Sequence, residues 1–122
     1  MSKKILIVDD EPDIVHAIKT VLEKNGYEVM TAMDGYEGLR IIKTNEPHLM
    51  IVDLTMPKMG GWHFSMKARQ DERYKKVPII ILSGLIEHEH TPDTFEQGNV
   101  YMSKPFDVFK LLDKVKELLN EL

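Results

Sequence analysis

The sequence has 122 residues and a formal net charge of −4, with 43% hydrophobic and 30% charged residues. That length suits one domain with its own core, and the acidic balance argues against non-specific binding to nucleic acid or anionic membrane. The chain has no cysteine, no apolar run long enough for a membrane span and no signal-peptide pattern, so thiol chemistry is excluded and we expect a cytoplasmic protein.

The first part of the chain predicts two strand–helix units. Residues 4–8 predict a strand, because residues 5–8 form a continuous apolar run typical of a strand that is covered on both faces. Pro12 suits the first turn of a helix, and Gly26 is the expected left-handed residue after its end. Residues 27–32 predict a second strand, after which Asp34 caps the second helix.

Two further units follow. The apolar run at residues 49–53 predicts a third buried strand, and a helix at about residues 62–71 comes after a loop rich in turn residues. Residues 77–82 predict the fourth strand. Residues 85–98 should hold the fourth helix, although Pro92 interrupts a poor helical pattern.

The last unit completes an alternating pattern. Residues 99–103 predict the fifth strand, and the apolar positions after Asp107 predict a clean amphipathic helix. Strands and helices therefore alternate five times, which is typical of an α/β, doubly wound parallel sheet with helices on both faces.

Polar side chains collect where the predicted strands end. Carboxyl ends of parallel strands meet at one edge of a sheet, so we expect these residues to form one site. Clustered carboxylates repel one another unless a cation intervenes, and oxygen ligands without histidine or sulfur favour Mg²⁺, with Mn²⁺ possible. The polar residues at these strand ends are Asp9, Asp10, Glu11, Asp53, Ser83 and Lys104.

The same edge suits phosphoryl chemistry. Lys104 and Ser83 supply a cation and a hydroxyl donor that can hold phosphoryl oxygens. No strand-end serine or histidine is set up as an activated nucleophile, whereas an aspartate can itself form an acyl phosphate. Asp53, from the middle of the predicted sheet, is the best candidate. Glu11 is better interpreted as a helix-start acid than as a ligand.

Four motifs now identify a resemblance. In their order and spacing, "ILIVDDE", "IVDLTMPKMGG", "IIILSG" and "YMSKPF" resemble the receiver domain of bacterial response regulators, the CheY-like superfamily, over essentially the whole chain. The resemblance implies a flavodoxin-like three-layer fold with five helices and strand order 2-1-3-4-5. It further implies one receiver domain over residues 1–122, of the stand-alone type.

The resemblance also implies the metal and acceptor roles. Asp53 would be the phosphoacceptor and a metal ligand. Asp10 would bind Mg²⁺ directly, and Asp9 would bind it directly or through water. The backbone carbonyl of Thr55 would complete the protein ligands.

Further roles follow from the same resemblance. Lys104 would contact the phosphoryl group, and its bond to Pro105 would be a cis peptide. Ser83 would be the switch hydroxyl that moves toward the phosphate, and Tyr101 the switch aromatic that turns inward. One departure is Gly84, which follows the switch hydroxyl where the family most often has alanine.

The implied function is that of a phosphoprotein in a two-component regulatory system. The donor would be a histidine kinase or a histidine phosphotransfer protein, and the output would act on an unknown downstream protein. We expect no direct contact with nucleic acid or membrane, and a monomer that can dimerise on phosphorylation. The chain would promote its own phosphorylation and dephosphorylation without being a turnover enzyme.

Other interpretations compete with this one. The acid run alone could be an exposed helix start. A flavin-binding module shares the topology, but "DDEP" would repel a flavin phosphate. An aspartate-nucleophile phosphatase would carry a second aspartate where Thr55 stands. A receiver-fold binding scaffold that works without phosphorylation stays open.

Overall fold

Five parallel strands form the centre of the molecule. The computed structural model describes residues 2–54, 56, 58–84, 99–104 and 106–121. The strands lie in the order β2-β1-β3-β4-β5, and every neighbouring pair is parallel. The predicted fold class and strand order are therefore confirmed. The strands are β1 (Lys4–Val8), β2 (Glu28–Ala32), β3 (Leu49–Asp53), β4 (Ile79–Ser83) and β5 (Asn99–Ser103).

Four α-helices and one short 3₁₀ helix are present among the described residues. The helix predicted over residues 85–98, with its Pro92, lies outside them. The helices are α1 (Pro12–Lys24), α2 (Gly35–Thr44), α3 (Gly61–Arg69) and α4 (Val108–Leu118), and the 3₁₀ helix spans Glu72–Tyr74.

The local signals in the sequence act where they were expected. Gly26 follows α1 with a φ of 91°, which is a left-handed conformation that glycine adopts without steric cost. Asp34 caps α2, because its Oδ1 accepts a hydrogen bond of 2.9 Å from the Glu37 N–H. Glu37 reciprocates by accepting a 2.6 Å bond from the Met33 N–H.

Some element boundaries differ from the predicted ones. β2 begins at Glu28, one residue late, and α3 ends at Arg69, about two residues early. The second difference has a local cause: the Asp71 side chain accepts a hydrogen bond from the Arg73 N–H and starts the 3₁₀ helix there. β4 is also shifted to Ile79–Ser83, so that Ser83 is its last residue.

Helices cover both faces of the sheet and make three layers. Ile5 and Ile7 of β1 point to the face that α1 and α4 cover, whereas Leu6 and Val8 point to the face that α2 and α3 cover. All five residues of β3 and of β4 are buried. The layers leave the carboxyl ends of the strands as the edge where polar side chains meet. None of the described helices is long and apolar enough to cross a membrane.

Candidate functional site

The register of the sheet brings the strand-end residues together. Val8 of β1 lies beside Val52 of β3, so Asp9 and Asp53 come next on adjacent strands. Beyond β5, the backbone N–H of Lys104 donates a 2.8 Å hydrogen bond to the Ser83 carbonyl. Parallel pairing thus places residues from β1, β3, β4 and the turn after β5 at one edge, as the sequence predicts.

Four carboxylates form the centre of this edge. Asp9, Asp10, Glu11 and Asp53 each offer one oxygen, and these oxygens all lie within 4.8 Å of one another. The Asp9 and Asp53 side chains are only 1% and 4% exposed. The donor set contains only oxygen, which fits a hard divalent cation such as Mg²⁺ or Mn²⁺ and does not favour zinc.

Lys104 reaches into this cluster from the turn after β5. Its Nζ lies 2.7 Å from Glu11 Oε1 and 3.5 Å from both Asp9 Oδ2 and Asp53 Oδ1. Burial lowers the pKa of Lys104, but its hydrogen bond with Glu11 and the attraction of the aspartates outweigh burial and raise that pKa. The side chain is therefore a fixed cation beside Asp53.

The charged form of Asp9 is disfavoured by its burial. Burial raises the pKa of its carboxyl group, although a hydrogen bond from the Glu11 N–H and the attraction of Lys104 act in the opposite direction. The Oδ1 atom accepts that bond at 2.9 Å. The hydrogen bond and Lys104 thus do not offset the cost of burying this carboxylate in its charged form, and a divalent cation beside it would.

Glu11 has a second role that the sequence did not indicate. It occupies the N-cap position of α1, as its interpretation as a helix-start acid predicts, but its side chain makes no capping bond. The carboxylate instead extends to Lys104 and belongs to the acidic cluster. The signal that could have found this contact is the pairing of a three-acid run with a lysine after the last strand.

The two predicted switch residues lie on the adjacent strands. Ser83 is buried at the end of β4, next to Lys104. Tyr101 lies on β5 opposite Ile81, half-buried against the core that α2 and α3 cover. Thr55 and Pro105 lie outside the described residues, so the expected Thr55 carbonyl ligand and the Lys104–Pro105 cis bond stay predictions.

Two glycines border the site with different amounts of space. A Cβ atom at Gly61, the first residue of α3, would overlap the backbone carbonyl of Asp53. At Gly84 the nearest described atom is Lys104 Cβ at 4.0 Å, which leaves room for a methyl group. The start of α3 therefore lies directly against the Asp53 backbone, whereas among the described residues no atom comes closer than 4.0 Å to a Cβ atom placed at Gly84.

The sequence of the chain matches a known protein family. A family model described as the response regulator receiver domain matches residues 5–116. The PhoP protein of Bacillus subtilis, an alkaline phosphatase synthesis transcriptional regulatory protein, is 38% identical over 121 residues. The DNA-binding dual master transcriptional regulator RpaA of Synechocystis is 36% identical over 118 residues. These alignments cover 98% and 96% of the chain but 50% and 49% of the relatives, so the chain spans about half of their length.

Solved structures agree over their full length. The chemotaxis response regulator CheY4 of Vibrio cholerae superimposes with a TM-score of 0.89 at 31% identity, covering 97% of this chain and 99% of that one. A CheY-like receiver domain protein from Methanospirillum hungatei gives a TM-score of 0.89 at 34% identity, covering 99% and 96%.

Proposed function

Because this chain belongs to the response regulator receiver family of two-component signalling systems, we propose that Asp53 is its phosphoacceptor. The observation that carries the proposal is the position of Asp53 at the end of the central strand. Its nearly buried carboxylate lies within the four-carboxylate cluster and 3.5 Å from Lys104 Nζ. The donor is a histidine kinase or a histidine phosphotransfer protein, and residues 1–122 act as one receiver domain.

The transfer is a substitution at phosphorus. A carboxylate oxygen of Asp53 forms the new P–O bond as the bond from phosphorus to the donor's imidazole nitrogen breaks. That nitrogen keeps the electron pair, and Asp53 becomes an acyl phosphate. The chain supplies the attacking group and Lys104, which contacts a phosphoryl oxygen, so it promotes its own phosphorylation. Hydrolysis of the acyl phosphate at the same site returns it to the resting state.

Asp9, Asp10 and Asp53 would hold Mg²⁺, or Mn²⁺, with the Thr55 carbonyl as the further ligand. When bound, the ion would neutralise negative charge on the carboxylates and on the incoming phosphoryl oxygens. The buried Asp9 carboxylate, whose pKa is raised by burial, supports this assignment because a nearby cation would stabilise its charged form.

Ser83 and Tyr101 carry the signal away from the site. Their positions on β4 and β5 connect the phosphoacceptor to the surface of β5 and α4, where Phe109 is 64% exposed. A new phosphate charge next to Ser83 biases a two-state rearrangement of this surface. The downstream target is a cytoplasmic protein that binds this rearranged surface. Dimerisation on phosphorylation would use the same surface.

The test is the intact mass after incubation with acetyl phosphate, with and without Mg²⁺. Wild type should gain one phosphoryl group only when Mg²⁺ is present, and Asp53→Asn should gain none. Circular dichroism of Asp53→Asn confirms that the variant is folded. If wild type gains nothing under any condition, phosphorylation at Asp53 is ruled out, and a receiver-fold scaffold that works without phosphorylation takes its place.

A further inference from the structure

Lys104 divides its contacts unequally among three carboxylates. The 2.7 Å contact with Glu11 Oε1 is a strong charge-assisted hydrogen bond, whereas 3.5 Å to Asp9 and to Asp53 is at the outer limit of hydrogen bonding. Glu11 is the most exposed of the three, with 54% of its side chain accessible. The shortest contact of this partly buried cation is therefore made to the most exposed acid.

Glu11 is held in place by the site itself. Its backbone N–H donates a 2.9 Å hydrogen bond to Oδ1 of the buried Asp9, and its carbonyl accepts the first hydrogen bond of α1, from the Val15 N–H at 3.1 Å. The Glu11 backbone is therefore held by the acidic cluster and by the start of a helix, and its carboxylate extends from that fixed point to the 2.7 Å contact with Lys104. A side chain anchored in this way can fix the position of the lysine that it binds.

The distance from Lys104 to Asp53 has a chemical consequence. An ammonium group in direct contact with the attacking carboxylate would lower its nucleophilicity and occupy one of its lone pairs. At 3.5 Å the ammonium group still attracts the Asp53 carboxylate, but it is too far away for a strong hydrogen bond that would bind up the attacking oxygen. Lysine has three N–H donors, so Lys104 can keep its bond to Glu11 while it donates to a phosphoryl oxygen.

We propose that Glu11 is a positioning residue for phosphoryl transfer: it holds the Lys104 ammonium group away from Asp53 before transfer and aims it at the phosphoryl oxygens. The inference rests on the proposed function and extends it to a residue that neither accepts the phosphoryl group nor is needed as a metal ligand. Without the Glu11 carboxylate, Lys104 moves onto Asp53 and the transfer slows.

The test measures how the rate of phosphorylation depends on the concentration of acetyl phosphate, followed by intact mass. Mg²⁺ is set at a level where no variant responds to more of it. Glu11→Gln should lower the maximal rate about tenfold, the scale of a misplaced catalytic group, with little change in the half-saturating concentration of donor. Asp13→Asn is the matched control, because it removes one exposed charge from the first turn of the same helix and should react like wild type.

A double-mutant cycle shows whether Glu11 acts through Lys104. In a Lys104→Met background, Glu11→Gln should cause no further loss. A loss that persists in that background, an equal loss in Asp13→Asn, or a rate in Glu11→Gln that equals or exceeds wild type would each overturn the inference. If wild type itself takes up no phosphoryl group, the proposed function fails together with it. If only the effect of Glu11→Gln is missing, the proposed function stands and this inference alone fails.

Discussion

At the scale of single residues, Asp9 is a carboxylate whose burial costs stability unless a cation lies nearby. Its side chain is 1% exposed, it lies among three other carboxylates, and burial raises its pKa. Lys104 compensates for only part of that charge, from 3.5 Å. Such an arrangement is unfavourable in the metal-free protein and becomes favourable when a divalent cation binds.

The first prediction follows from this conflict. Asp9→Asn removes one buried charge and keeps an oxygen that can accept the hydrogen bond from the Glu11 N–H. We expect the metal-free variant to be about 1–2 kcal/mol more stable than wild type, because the variant avoids the cost of burying a charged carboxylate, which is the largest cause of the raised pKa of Asp9 and outweighs the lost attraction to Lys104. Urea unfolding without Mg²⁺ measures the difference.

Mg²⁺ should make wild type more stable than Asp9→Asn. Wild type should gain stability as Mg²⁺ is added, and Asp9→Asn should gain much less, because binding to the folded state alone stabilises it. Asp13→Asn, which is exposed, serves as the control and should follow wild type in both conditions. An Asp9→Asn variant that is less stable than wild type without metal would show that the buried Asp9 charge does not destabilise the metal-free protein.

At the scale of elements, two glycines at the edges of the site differ in how close the described residues come to them. Gly84 lies after β4 with a backbone conformation outside the left-handed region, and no atom of the described residues comes closer than 4.0 Å to a Cβ atom placed there, whereas Gly61 at the start of α3 touches the Asp53 backbone. The same substitution should therefore have opposite effects at these two positions.

We expect Gly84→Ala to raise the free energy of unfolding by about 0.4–1 kcal/mol, because alanine restricts the unfolded chain without straining the folded one. Phosphorylation of Asp53 should persist. Gly61→Ala should lower the free energy of unfolding by about 2 kcal/mol or more, since α3 must move away from β3. Urea unfolding of both variants tests the pair, and equal effects would show that the difference in space has no energetic consequence.

The elements that the sequence predicts best are those that local chemistry defines. The buried run of β1, the left-handed Gly26 and the Asp34 cap each depend on residues a few positions apart. The end of α3 depends on such a local contact, the bond from the Arg73 N–H to Asp71, and also on contacts that are more distant in the sequence. Arg69 ends that helix with its guanidinium bonded to the carbonyls of Tyr74 and Val77, at 2.6 Å each, and to Asn99 on β5 at 3.0 Å. A pattern over a few residues does not predict the contact between Arg69 and Asn99, which are 30 positions apart.

The site shows the same division. Asp9, Asp10, Asp53 and Lys104 could be grouped from the sequence because parallel strands bring their carboxyl ends to one edge. The sequence shows a three-acid run and a lysine after the last strand, but it does not specify that Glu11 is the acid that binds Lys104. That contact depends on where two side chains 93 positions apart extend beyond the sheet. Sequence patterns thus locate the edge, and tertiary geometry decides which acid holds the lysine.

At the scale of the whole molecule, one hydrogen bond joins the start of β2 to the last turn of the chain. The Tyr27 hydroxyl, next to the start of β2, donates a 2.6 Å bond to Oε1 of Glu121, which follows α4. Burial, the hydrogen bond and the negative charge of Glu121 all raise the pKa of Tyr27. The folded state therefore favours the neutral phenol more than the unfolded chain does.

The sign of the pH dependence follows from that preference. A tyrosine whose pKa is raised by folding contributes its full stabilisation below the unfolded pKa of about 10, and that stabilisation is lost as the pH rises above it. The pKa of Tyr74 is also raised, by burial first, so both residues contribute to the alkaline loss of stability.

We expect the free energy of unfolding to fall above a pH of about 10, and to fall less steeply in Tyr27→Phe. Urea unfolding between about pH 8.5 and 11 measures both slopes, and Tyr36→Phe, at an exposed site of α2, is the control. Identical slopes in wild type and Tyr27→Phe would mean that the bond between Tyr27 and Glu121 does not persist in solution.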